Sequence, residues 1–232
     1  MNYLTWGYET PLTIILSVIG VIIVGFAQSK ITSSYNKYKK VNNKNKKNGA
    51  EVAREILDAN GLSNIYVVEV QGNLTDHYDP TRKVVRLSTD IFHCETVAAM
   101  SVAAHECGHA IQDKVGYPLM RIRSALVPFV NLVSYLGYFG LIVSLFAGIT
   151  GYLMISIITL LATLLFQLVT LPVEFDASKR GKEELKKLKI SDTSEDEQVK
   201  SMLFAAAMTY VAGVATNILN VLRIILMYRN RD

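Results

Sequence analysis

Residues 124–173 are 50 consecutive positions without Asp, Glu, Lys, Arg or His. About 20 apolar helical residues cross a hydrocarbon core of roughly 30 Å, so this run is too long for one span and right for two. The predicted spans cover about 125–147 and 152–172, with the small residues of AGITG (147–151) as a tight turn between them. A hairpin returns the chain to the side it left, so residues 123 and 174 share a membrane face. Residues 11–27 (PLTIILSVIGVIIVGFA) and 201–222 (SMLFAAAMTYVAGVATNILNVL) are further uncharged runs of spanning length. Half the residues are apolar and the mean hydropathy is positive, both high for a soluble domain. The expected fold is a mainly α membrane protein with 3–4 transmembrane helices.

The first run reads as an uncleaved anchor over residues 1–30. No Lys or Arg precedes it, Glu9 does, and it ends in FAQSK rather than at a small-residue cleavage site. Lys30, Lys37, Lys39, Lys40, Lys44, Lys46 and Lys47 follow it. By the positive-inside rule that side is cytoplasmic and the N-terminus lies outside. The lysines serve first as a solvated topology signal and linker, and second as a grip on anionic lipid head groups. No interleaved aromatic or fold motif supports nucleic-acid binding. Residues 201–232 are favoured as a fourth span, although crossing leaves Arg229 and Arg231 outside; the alternative is a helix packed on the soluble part. Cys94 and Cys107 fall in the segment assigned to the cytosol, where thiols stay reduced.

The soluble part is small and of mixed character. Residues 50–60 place Val52, Ile56 and Leu57 on one helical face, and Gly61 suits a C-terminal cap. NIYVVEVQG (64–72) and KVVRLS (83–88) read as strands, and NLTDHYDPTR (73–82) as a turn-rich loop. A helix is predicted from near Thr96 through Lys114. The domain reading is an anchor (1–30), a cytoplasmic region (31–123), a hairpin (124–173), a second cytoplasmic segment (174–200) and a C-terminal hydrophobic helix (201–232).

Within the helix stands AAHECGHAIQD (103–113). His105 and His109 are four residues apart, about 40° around the axis, so both rings point one way. That is the spacing with which two imidazoles hold Zn²⁺ while a carboxylate, Glu106, serves as general base and then as acid toward the leaving amine. The flanking Val102, Ala103, Ala104, Ala110 and Ile111 bury the helix, and buried histidines and glutamate need partners. Cys107 lies about 200° from His105 and points away.

A zinc site needs a further protein ligand from the same side of the membrane. Glu174 is the first acidic residue after the hairpin, in TLPVEFDASKRG, with Pro172 as a good first residue for a new helix. Glu174 is taken as the third ligand, with Asp176 as its competitor or as a residue that orients a ligand or caps. Asp113, one turn after His109, is a second-choice carboxylate for that ring beside a role as an exposed helix-end charge. His77, Tyr78 and Tyr210 are weaker candidates for oxyanion donors, and the KVVRLS strand for an edge that takes an extended peptide.

LTDHYDPTRKVVRLS, VAAHECGHAIQD and LPVEFDAS, in this order and joined by hydrophobic segments of suitable length, resemble the YugP-like family of bacterial membrane zinc metallopeptidases. The resemblance covers nearly the whole chain. It implies a zincin-like, gluzincin-type α+β catalytic domain, with His105, His109 and Glu174 on zinc and Glu106 as acid/base. The layout is more distantly similar to the HtpX-like and CAAX prenyl proteases, which carry an E-x-x-x-D motif after the two spans. Here Ser178 stands where that motif has Asp, so the orientation of the second histidine is left open, with Asp176 as a substitute. The function expected is a zinc endopeptidase of the bacterial cytoplasmic membrane, multi-pass, its site facing the cytoplasm, acting on membrane-associated proteins or peptides. The alternative is a zinc-holding but proteolytically inactive scaffold, with Cys94 as the one hint of a closed site.

Overall fold

The computed structural model describes residues 11–147 and 152–229. The elements in chain order are α1 (Pro11–Tyr38), α2 (Gly49–Ala59), β1 (Tyr66–Val70), β2 (His77–Asp79), β3 (Val84–Ser88), α3 (Thr89–His93), α4 (Val97–Lys114), α5 (Pro118–Ala147), α6 (Tyr152–Lys187) and α7 (Asp196–Arg229). The chain divides into two compact units, residues 1–28, 122–171 and 209–232 in one, residues 29–121 and 172–208 in the other.

The first unit is apolar helix. Among the described residues, four helices are long and apolar enough to cross a membrane: Pro11–Tyr38, Pro118–Gly137, Ile155–Lys187 and Thr193–Leu226. Their outward side chains include Val21, Ile22, Phe26, Leu136, Leu165 and Leu168, all exposed. A surface of that kind is stable against lipid and not against water. Inside the unit, small and polar residues make several of the contacts, a pattern that suits helices packed in lipid. Gly137 takes the side chain of Thr159, and Gly213 that of Gln167. Asn217 Nδ2 donates to Gln167 Oε1 at 2.8 Å, tying α7 to α6. The hairpin turn expected at 147–151 falls almost wholly outside the described residues.

The second unit carries a three-stranded sheet in the order β1-β3-β2. β1 runs parallel to β3, from Tyr66 opposite Val84 to Val70 opposite Ser88, and β2 runs antiparallel to β3, with Tyr78 opposite Val85. β2 lies within the predicted loop 73–82. Three residues are too few to show a strand period, and only pairing with β3 defines it. KVVRLS is therefore the central strand, paired on both sides, and does not present the edge expected of it. α2 begins with a capping box between Asn48 and Glu51 and buries Val52, Ala53, Ile56 and Leu57 against α4.

Two further expectations change. Pro172 does not open a new helix: α6 runs unbroken from Tyr152 to Lys187. An interior proline forfeits one helical hydrogen bond, which long apolar helices with helical neighbours tolerate. The lysine-rich stretch is also more than a solvated linker. The Lys44 backbone amide donates to Glu195 at 3.0 Å and its ammonium pairs with Asp192 at 3.0 Å, while Asn45 donates to the carbonyls of Lys189 and Ile190. Asn42 bridges to Thr96, and Val97 N–H donates to the Val41 carbonyl, so this stretch is fastened to the start of α4.

Candidate metal centre

α4 starts where Thr96 Oγ1 accepts the Ala99 amide and continues through a run of small residues. Alanine and glycine let α6 come close. Backbone of α6 at Ala177 fills the space beside Gly108, and backbone of α4 at Ala104 fills the space beside Gly181. This crossing sets residues 105–109 against residues 174–178.

The result is a three-residue cluster. Glu174 Oε2 lies 3.3 Å from His105 Nε2 and 3.6 Å from His109 Nε2. The imidazoles meet edge to face, with ring centroids 4.8 Å apart. Of all His, Cys, Asp and Glu among the described residues, these three form the group whose ligand atoms lie within 4.8 Å of one another. Two imidazole nitrogens and a carboxylate oxygen are a zinc donor set, and metal–ligand bonds of about 2.0–2.1 Å in a tetrahedron place ligand atoms about 3.3 Å apart. Both separations from Glu174 lie close to that value, and three protein donors leave a fourth position.

Each imidazole is held from behind. His105 Nδ1 meets Ser178 Oγ at 3.0 Å, and His109 Nδ1 meets Gln112 Oε1 at 2.9 Å. Gln112 Nε2 donates to the Val173 carbonyl and to Asp176 Oδ2, both at 2.8 Å, and Arg180 donates to the same Asp176 oxygen. Asp176 is thus outside the ligand cluster and works as a support. Gln112 was not singled out by the sequence, although it stands three residues after His109 and so within reach on the helix surface. Ser178 fills the place where an aspartate was missed, and it serves the first histidine rather than the second.

Glu106 is buried beside the cluster without belonging to it. Burial pushes its carboxyl up to about 7, with the neighbouring charges of Glu174 and Asp76 adding to the rise; His105 and the facing Tyr78 amide act in the opposite sense. A carboxyl poised there takes up and gives back a proton near neutral pH.

Other residues go elsewhere. Asp113 accepts from Tyr78 Oη at 2.7 Å and pairs with Lys83, so it does not reach His109. The Tyr78 hydroxyl is thereby used. His77 is exposed and contacts the Thr75 carbonyl and Arg86, and Tyr210 belongs to the other unit. Cys94 is exposed and outside the cluster, and Cys107 is buried with its sulfur toward the Ala53 carbonyl.

Comparison with known proteins gives the same chemistry. Residues 13–229 match a family described as "Putative neutral zinc metallopeptidase". The chain is 39% identical over 219 residues to the "Putative membrane protease YugP" of Bacillus subtilis (strain 168), across 94% of this chain and 97% of that protein. No solved structure matches it. With a match across nearly its full length and a cluster that could hold zinc, the chain belongs to this neutral zinc metallopeptidase family, and its cofactor is zinc.

Proposed function

We propose that the chain is a membrane-embedded zinc endopeptidase that hydrolyses peptide bonds at the cytoplasmic face of the bacterial membrane. The observation that carries this is the convergence of Glu174 on His105 and His109 with Glu106 buried alongside. His105, His109 and Glu174 would hold the zinc. When bound, zinc supplies Lewis acidity, polarising the scissile carbonyl and making water nucleophilic at neutral pH. Glu106 takes the proton that the attacking water loses as its oxygen bonds to the carbonyl carbon. It then delivers that proton to the departing amine nitrogen as the C–N bond breaks. Ser178 and Gln112 keep the two imidazoles aimed at the cluster.

The cytoplasmic orientation is supported by Lys30 and Lys37 in the C-terminal part of α1 and Lys39, Lys40 and Lys46 after it, all exposed. Those lysines are also the ones available to anionic head groups, since Lys44 and Lys47 are engaged by Asp192 and Glu55. On this reading, residues 31–123 and 174–200 form the catalytic part and the substrate is a membrane-associated protein or peptide.

The test is zinc per chain in purified protein, beside hydrolysis of a mixed peptide library. One zinc in wild type, lost in Glu174→Ala and His109→Ala, is expected. Glu106→Gln should keep the zinc and lose at least a hundredfold in rate, since general acid–base catalysis contributes about 10²–10⁴. Full zinc in Glu174→Ala, or full hydrolysis in Glu106→Gln, would sink the assignment.

A further inference from the structure

The two ligand histidines are not held in the same way. Ser178 presents a hydroxyl to His105, and a hydroxyl donates or accepts as its neighbour requires. Gln112 has no such freedom. Its side chain is fully buried, and its amide nitrogen faces two groups, the Val173 carbonyl and the Asp176 carboxylate, both at 2.8 Å. Both are acceptors, and each takes one of the two N–H bonds of the amide. Turned the other way, the amide would set its oxygen against a carbonyl and a carboxylate. Arg180, which donates to the same Asp176 oxygen and lies with its guanidinium 5.8 Å from the centre of the Tyr117 ring, holds that carboxylate in place. The amide orientation is therefore fixed, and the atom it turns to His109 Nδ1 is an oxygen.

We infer that Gln112 is a positioning residue: its side-chain oxygen keeps the proton of neutral His109 on Nδ1 against the pull of the Glu174 carboxylate 3.6 Å from Nε2, so that Nε2 is the nitrogen left to bind a metal. Asp176 and Arg180 act one step back, as the anchor of the amide. The tautomer of His105 is left to the metal, whereas that of His109 is built into the crossing of α4 and α6. The consequence for metal binding rests on the assignment of His109 as a zinc ligand. The consequence for the imidazole does not, and the two can be measured apart.

The experiment uses the full chain in detergent, labelled with ¹⁵N-histidine and dialysed free of metal, at a pH of about 8, where an unperturbed imidazole is neutral. Long-range ¹H–¹⁵N correlation distinguishes protonated from unprotonated ring nitrogens, and His109→Gln identifies the signals of His109. In wild type, Nδ1 should carry the proton. In Gln112→Met, which keeps length and removes both polar atoms, His109 should become a mixture of tautomers. The Kd for Zn²⁺ should rise about ten- to a hundredfold, the usual effect of losing a group that orients a ligand. If Gln112→Met does not fold, Asp176→Ala is the substitute, with a smaller shift of the same kind and a severalfold rise in Kd. An unchanged His109 tautomer, or an unchanged Kd in a folded variant, would overturn the inference. A wild type that binds no Zn²⁺ while its His109 tautomer still follows Gln112 would sink the zinc assignment and leave the positioning contact standing.

Discussion

Gly108 on α4 lies against Ala177 on α6, so closely that a β-carbon at Gly108 would sit 3.1 Å from the Ala177 Cα and overlap its carbonyl. The obstacle is backbone, which cannot turn aside as a side chain can. Glu174 reaches the histidines because the helices meet this way.

Gly108→Ala is therefore expected to force the helices apart. Overpacking of this kind costs about 1–3 kcal/mol, which lowers Tm by several degrees in a chain of this length, and zinc content should fall with it. Gly25→Ala is the control, because nothing lies within 4 Å of the added carbon. Alanine is the better helix former, so the Tm should hold or rise slightly. Equal melting of the two variants would show that the crossing at Gly108 is not tight.

Tyr78 and Asp113 support the fold rather than the metal. Burial, and then the Asp113 carboxylate that accepts its hydrogen bond, raise the Tyr78 phenol well above its ordinary value of about 10. A group raised on folding contributes stability that is fully present below the unfolded value and lost as pH climbs toward the folded one. Tyr78→Phe should cost about 1 kcal/mol at pH near 8 and leave the zinc content unchanged. The gap between the two proteins should narrow above a pH of about 10. A gap that widens there would contradict the sign of the shift.

The two cysteines should differ in reactivity. Cys94 is exposed, whereas burial pushes the Cys107 thiol up and away from its reactive form. A thiol reagent at a pH of about 8 should modify one cysteine per native chain and two after denaturation. Peptide mapping should place the native label on Cys94. Rapid labelling of Cys107 in folded protein would mean that α2 and α4 separate readily.

Orientation is open to a direct measurement. In a background with Cys94 and Cys107 replaced by serine, Asn45→Cys should react with an impermeant maleimide only after the cells are opened. Asp232→Cys should react in intact cells. A protected Asp232→Cys would rule out four spans, and a labelled Asn45→Cys would place the histidines outside.

Much of the architecture is legible in sequence because it depends on short-range composition. Three uncharged runs define where helices long and apolar enough for a membrane must be, and a four-residue spacing puts His105 and His109 on one side of a helix whatever surrounds it. Glu174 is legible for a similar reason, since a run long enough for two spans would bring the chain back to its starting face. Tertiary structure decided what stands behind those residues. Seen down α4, Gln112 lies about 60° to one side of His109 and Asp113 about 40° to the other, so spacing alone does not choose between them. α6 packs on the first side and supplies Val173 and Asp176 to fix Gln112, while Tyr78 and Lys83 draw Asp113 away on the second. β2 likewise exists only through its pairing with β3. Helical and hydrophobic periodicity are carried by neighbours along the chain. The partner of a polar side chain is set by which element lies across from it, and in this protein that follows from the backbone contacts at Gly108 and Gly181.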